Sequence, residues 1–269
     1  MATTVKRCLR YYREQHIRTG VLDVERSDYC IAAITPYFGR KAAENIQNRD
    51  VRGYCEKRAK QGIGQGTICR EVACLISALR FCFSEGVIKS LQPLKRPKRP
   101  EPLDRWLTHT ESENLLKSAG DRAFLFILIA LETGGRPEAI DDLKWSQVDL
   151  DQKLIKFNAE GRSQTNKKRP VVPISETLYM KLIQVKETAK TIHVLGINAS
   201  TYKGVSGAIR RANLKGVTRK TLRHTWATWA AQRGVDMWKI AGVLGTSVTT
   251  AEKNYAHHCP EYLREAVNY

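Results

Sequence analysis

The chain has 269 residues, 42% of them hydrophobic and 27% charged, enough apolar material for one large or two modest cores without disulfides. No run of about 18 uncharged apolar residues occurs, and the most apolar stretch, 124–131, is too short, so no membrane span is expected. A formal net charge of +18 with a pI near 9.7 calls for a polyanionic partner. Nucleic acid is preferred over acidic lipid, because no single helix sets a concentrated basic face over a bulky apolar one.

Residues 1–7 lead into a charged amphipathic segment rather than the apolar core of a signal peptide, so a cytoplasmic location is expected. Seven cysteines occur, an odd number with no CxxC among them. They are expected as buried free thiols in a reducing compartment, with no metal site.

In chain order, Val5, Leu9, Tyr12 and Ile17 recur near helical spacing. Ser27 is placed as the cap of a second helix with Tyr29, Ile31 and Ile34. Asp50 is placed as the cap of a third, with Val51, Tyr54 and Cys55 on one face. Gly62 and Gly64 interrupt the pattern, and 62–66 lacks the Lys-Ser/Thr of a nucleotide loop. Thr67 opens the strongest helix, whose stripe is Ile68, Val72, Leu75, Ile76, Leu79 and Cys82, ending near Gly86. Segment 91–102 then carries four prolines with Lys95, Arg96, Lys98 and Arg99. It reads as an extended linker, either a solvated tether or a strap lying on phosphates.

Beyond it, Thr110-Glu111-Ser112-Glu113 has the form of a capping box, and 123–131 reads as a buried helix. Strands at 154–157 and 171–172 flank a basic turn, 161–169, that contains Arg162. Leu178, Leu182 and Val185 mark a helix, and Thr218 caps a long one reaching 233. Helices over 238–244 and 249–255 follow, with a last one after Pro260. The fold class is therefore mainly α with a small β-hairpin (α+β). The expected division is 1–91 helical, 92–106 linker and 107–269 second domain.

Three stretches carry chemistry. Arg136 follows Gly134-Gly135 and precedes Pro137, which puts it at a helix entrance where anions are favoured. It reads either as a phosphate ligand or as a surface arginine paired with Asp141 or Asp142. Lys220 and Arg223 are an i, i+3 pair on one helix face, with His224 and Thr225 beside them. Such a pair holds an anion or is a solvated basic face. Tyr255 is either a packed tyrosine or, given nearby positive charge, a nucleophile. If the three stretches meet, two arginines and a lysine surround a phosphodiester that a tyrosine attacks, without a metal or other cofactor.

Taken together, this text resembles the tyrosine recombinase (phage integrase) family. The resemblance rests on Thr133-Gly134-Gly135-Arg136-Pro137-Glu138 with Leu143-Lys144-Trp145, on Thr221-Leu222-Arg223-His224-Thr225-Trp226-Ala227-Thr228, and on Val243-Leu244-Gly245 ahead of Tyr255-Ala256-His257. It also includes Phe83-Ser84-Glu85-Gly86-Val87-Ile88, at the end of a helical core-binding (SAM-like) domain. It implies a C-shaped clamp around double-stranded DNA, with Lys95, Arg96, Lys98, Arg99 and Arg162 on the backbone. It implies site-specific recombination through a 3′-phosphotyrosine without metal or ATP, in a homotetramer on DNA. No arm-binding domain is read ahead of the core-binding helices, as expected either of a simpler system or of a shortened chain.

The resemblance further implies that Arg136 and Arg223 hold the scissile phosphate, that Tyr255 attacks it, and that a turn lysine, Lys167 with Lys168 as second choice, protonates the leaving hydroxyl. Three positions depart from the family pattern. Lys220 stands where histidine is usual. Thr246 stands where histidine or tryptophan is usual, with His257 as a possible substitute. Ala139 stands where an acid is usual, one place after Glu138. Lys220 also fits a type IB topoisomerase, and Thr246 and Ala139 fit a weakened DNA-binding protein on the same fold.

Overall fold

A computed structural model describes residues 3–21, 23–101, 104–163 and 168–259, with side chains omitted at 18–21. The chain forms two compact units, Met1–Leu103 and Asp104–Tyr269.

The first unit is helical: α1 (Val5–Tyr12), continued by π-helical turns, then α2 (Val24–Phe38), α3 (Asn48–Lys60) and α4 (Gln65–Ser84). The whole stripe expected of α4 is buried, and α1, α2 and α3 all pack against it. Glu71, on α4, is buried as well, and its charge is matched. It accepts from Tyr54 Oη at 2.8 Å and from Arg58 Nε and Nη2 at 3.0 and 2.6 Å.

Three caps differ from expectation. Asp23, not Ser27, caps α2 by accepting from Arg26 N, because the helix begins a turn earlier. Asp50 is the third residue of a capping box whose cap is Gln47. The first helical residue of α4 is Gln65 rather than Thr67, since Gly64 supplies the extended entry.

Segment 91–101 is irregular, as its prolines require, and part of it is fastened to α3 and α4. Leu94 is buried, Asn48 holds Pro93 O and Lys95 N, and Cys69 Sγ and Gln65 Nε2 approach Lys98 O at 3.2 and 3.1 Å. Lys95, Arg96, Lys98 and Arg99 stay exposed. The backbone here is a strap with outward charges and not a free tether.

The second unit contains α5 (His109–Lys117), α6 (Asp121–Thr133), α7 (Pro137–Asp141), a three-stranded antiparallel sheet, α8 (Glu176–Glu187), α9 (Tyr202–Arg211), α10 (Arg219–Gln232), α11 (Met237–Leu244) and α12 (Val248–Tyr255). The strands are β1 (Val148–Asp149), β2 (Leu154–Lys156) and β3 (Val171–Pro173), with Val148 opposite Ile155 and Ile155 opposite Val172. Ala123 and the run from Leu125 to Leu131 are all buried, so α6 is apolar all round and forms the axis of the unit, packed on α10 and α9.

The capping box of α5 is Thr108 with Glu111, one T-x-x-E earlier than expected, because Arg105 also holds Glu111. Thr218 does cap α10. Two elements are additional to the sequence reading: β1, only two residues long, and α9, whose Gly204 and Gly207 mask its helical stripe. The helix expected after Pro260 lies outside the described residues.

Candidate active site

Helix α6 ends at Gly134, whose φ of +62° is left-handed and suits glycine. A Cβ there would lie 2.8 Å from Trp226 Cε3, so the chain must turn tightly against α10 at this point. Arg136 follows as the cap of α7, with Pro137 at the first helical position. Its Nη1 donates to Leu244 O at 3.1 Å and to Lys168 O, and its Nη2 donates to Gly245 O at 3.1 Å. From α10, Arg223 Nη1 donates to Gly134 O at 2.8 Å and Nη2 donates to Leu244 O at 2.7 Å.

Two guanidiniums thus share one carbonyl, at the C-terminal end of α11 where the helix dipole is negative. Arg136, Arg169 and Arg223 also line one small cleft with Pro170 and Val243. A cavity of about 580 Å³ between α6, α8 and segment 188–196 contains none of these residues.

Neither arginine has a carboxylate partner among the described residues. Asp141 is taken by Arg219 Nη1 at 2.5 Å and by Thr201 N and Oγ1 at 3.0 and 2.8 Å. Asp142 pairs with Arg169 at 3.0 Å. The surface-pair reading of Arg136 is therefore not what forms. Burial, then the charge of Arg136, pushes the pKa of Arg223 down to about 10. Burial and then Arg169 lower that of Arg136. Both remain cations at neutral pH. Each guanidinium has five N–H groups. Arg136 makes three of the bonds above and Arg223 two, which leaves two and three donors for an anion.

Tyr255, at the end of α12, is 6% exposed, and its Oη lies 2.8 Å from His224 Nδ1. Burial raises the phenol's pKa while the Arg223 charge opposes that rise. His224 is partly open to solvent. The protein packed around its ring, then the adjacent Arg223 charge, lowers its pKa. Both effects favour the neutral ring, whose Nδ1 accepts from the phenol in the tautomer that carries its proton on Nε2.

The remaining residues singled out from the sequence distribute as follows. Lys220 is exposed on the first turn of α10, and its charge reaches His224. Lys167 lies outside the described residues. Lys168 is exposed, and its carbonyl holds Arg136. Arg162 bonds Asn158 at 2.8 Å, and its charge reaches Arg136. Thr246 is half-buried directly after Gly245, and Glu138 is exposed with its charge felt by Arg136. His257 Nε2 is bonded to Asp104 Oδ2 at 3.2 Å.

The family model of the phage integrases matches residues 105–261, more than half of the chain. The chain belongs to the phage integrase family. The integrase of Escherichia phage 186 is 27% identical over 249 residues, covering 86% of this chain and 70% of that protein. Tyrosine recombinase XerA of Pyrococcus horikoshii is 28% identical over 240 residues, covering 81% and 79%.

Among solved structures, the Tn1549 transposon integrase in complex with transposon right-end DNA shares the fold. Its TM-score is 0.80 at 17% identity over 98% of both chains. A lambda integrase tetramer bound to a Holliday junction reaches 0.77 at 17% identity, covering 96% of this chain and 78% of that one. Members of this family are DNA cleaving and rejoining enzymes, and the chain is a site-specific tyrosine recombinase rather than a type IB topoisomerase.

For a phage integrase, Ala139 is buried at the edge of the arginine cleft, and no acidic group replaces it there among the cleft's lining residues. His224 is the residue that sequence reasoning did not assign. Its only signal is its place in the second arginine box, since nothing in linear order joins it to a tyrosine 31 residues away.

Proposed function

We propose that Tyr255 Oη attacks a DNA phosphorus whose non-bridging oxygens are held by the remaining donors of Arg136 and Arg223. One observation carries this reading: two partly buried guanidiniums turn onto the same carbonyl, without a carboxylate partner among the described residues, beside a histidine-bonded tyrosine. The pentacovalent phosphorane gains negative charge, and fixed cations stabilise it more than the ground state.

As Oη–P forms, the phenolic proton passes to His224 Nδ1 and the P–O5′ bond breaks. A lysine of turn 161–169, Lys167 in the first instance and Lys168 in the second, protonates the leaving oxygen. The phosphotyrosine keeps the bond energy, so attack by a 5′-hydroxyl rejoins the strand without ATP. Lys220 adds positive potential from the rim, Glu138 orients neighbouring groups, and Thr246 supplies a weaker donor than the usual ring.

Duplex DNA would lie against Lys95, Arg96, Lys98, Arg99 and Arg162. Four protomers would assemble on paired sites, a stoichiometry supported by the lambda integrase tetramer on its junction. The test is a suicide DNA substrate without metal. A covalent adduct should form with the parent and not with Tyr255→Phe. An adduct that persists in Tyr255→Phe moves the nucleophile, with Tyr262 next in line. No adduct from the parent on its own site leaves a DNA-binding protein.

A further inference from the structure

Directly after Tyr255 the chain makes one 3-10 turn, Ala256–His258, and two adjacent imidazoles converge there on a single carboxylate. His257 Nε2 lies 3.2 Å from Asp104 Oδ2, and His258 Nε2 lies 3.1 Å from Asp104 Oδ1. One ligand atom from each of the three residues can be chosen so that all lie within 4.8 Å of one another. The partners are 153 and 154 positions apart, so the cluster exists only in the fold. Trp106 packs edge-on over His258 with centroids 4.6 Å apart, and the His258 side chain is only 8% exposed. Asp104 and His257 are open, at 56% and 53%. One ligand is thus fixed by packing, and the other two face an entry path from solvent. Strand cleavage as derived above uses none of the three.

We propose that Asp104, His257 and His258 bind a divalent transition metal, zinc foremost. Two imidazole nitrogens and a carboxylate oxygen suit zinc, whereas magnesium and calcium prefer all-oxygen shells. Zinc bonds of about 2.0–2.1 Å set tetrahedral ligand atoms about 3.3 Å apart. Each nitrogen stands within a few tenths of that from a different oxygen of Asp104, and one ligand atom from each residue lies within 4.8 Å of the others, so the side chains must draw together by about an ångström to close on an ion. The ion displaces the imidazole protons now shared with Asp104. Three protein ligands leave further coordination to water.

A consequence follows for the nucleophile, and it rests on Tyr255 being one. An ion at this turn ties the residues just after Tyr255 to the first residue of the second unit. That restraint would slow departure of the hydroxyl from His224.

The site is tested on the full chain, stripped of metal and titrated with Zn2+ by calorimetry, with Co2+ as a spectroscopic probe. One ion per chain is expected, together with a rise in Tm and Co2+ d–d bands free of a thiolate charge-transfer band. Asp104→Ala and His257→Gln should each weaken binding on the order of tenfold or more. Both side chains are exposed, and unchanged far-UV circular dichroism would certify the fold. Cys259→Ser should bind as the parent does.

Absence of a stoichiometric ion would overturn the site and leave two imidazole–carboxylate hydrogen bonds. Unchanged binding in both variants, or loss of binding in Cys259→Ser, would overturn it equally. The restraint is read separately, as zinc slowing adduct formation in the parent but not in Asp104→Ala. Zinc that binds without slowing the parent refutes the restraint and leaves the site intact. Failure of Tyr255→Phe to abolish the adduct refutes the nucleophile without touching the calorimetry.

Discussion

Replacing Arg223 with glutamine separates the cost of holding a buried cation from its use. Its pKa is pushed down from the ordinary arginine range to about 10 in the fold, which corresponds to about 3 kcal/mol of unfavourable charging. Arg223→Gln removes that penalty, which already includes the repulsion from Arg136. Against it stand two charge-assisted bonds, to Gly134 O and Leu244 O, each worth about 1.5–3 kcal/mol. A glutamine amide recovers part of one, and Leu244 O keeps Arg136 as a donor.

The terms nearly cancel, so urea unfolding should change by no more than about 1–2 kcal/mol. Cleavage should suffer far more, because a donor aimed at a charged transition state is worth about 100- to 1,000-fold in rate. Single-turnover adduct formation on a suicide substrate measures the second quantity, and DNA affinity, measured in parallel, should fall much less. A cleavage rate within about tenfold of the parent, with affinity carrying the whole loss, would refute the reasoning. The arginine would then hold ground state and transition state alike.

The pH dependence has a definite sign. Burial and then Arg223 lower the pKa of His224, so the neutral ring is favoured as pH rises and protonation shifts to lower pH. The acid limb of cleavage should have its midpoint below pH 6.5 and should flatten in His224→Gln, which still accepts a hydrogen bond but does not titrate. A limb unchanged in that variant would assign it to another group. Gly134→Ala forces a left-handed alanine and sets its Cβ against Trp226, so it should cost about 1–3 kcal/mol in urea unfolding and lower activity with it. Changing Lys95, Arg96, Lys98 and Arg99 together to alanine should reduce the log–log salt slope of DNA binding by up to about 0.9 for each phosphate that is no longer neutralised. An unchanged slope would show that the strap does not touch the backbone.

Much of the architecture was legible because it is local. The α4 stripe, the apolar run of α6 and the Thr218 cap each sit within a few residues, where period and capping chemistry decide the outcome. Ambiguity began where two local solutions compete. Thr108 and Thr110 both head a T-x-x-E, and Arg105, from outside the helix, settles the choice. The glycines of α9 hide a stripe of Val205, Ala208 and Ile209 that only packing against α6 and α5 makes worthwhile. At the candidate site, Arg136, Arg223 and Tyr255 were readable from the text around each. The turn of Arg223 onto Gly134 O and Leu244 O was not, since helical spacing does not record which distant carbonyls a side chain meets.

By itself, then, the sequence determined a basic, two-part, mainly helical chain and three boxes capable of phosphoryl transfer. Tertiary structure alone decided the pairings. Asp141 goes to Arg219 and not to Arg136, His224 meets Tyr255, and His257 and His258 meet Asp104. Local periodicity records which face of a helix is apolar. It does not record which distant polar groups are brought together when α6, α10, α11 and α12 bury those faces against one another.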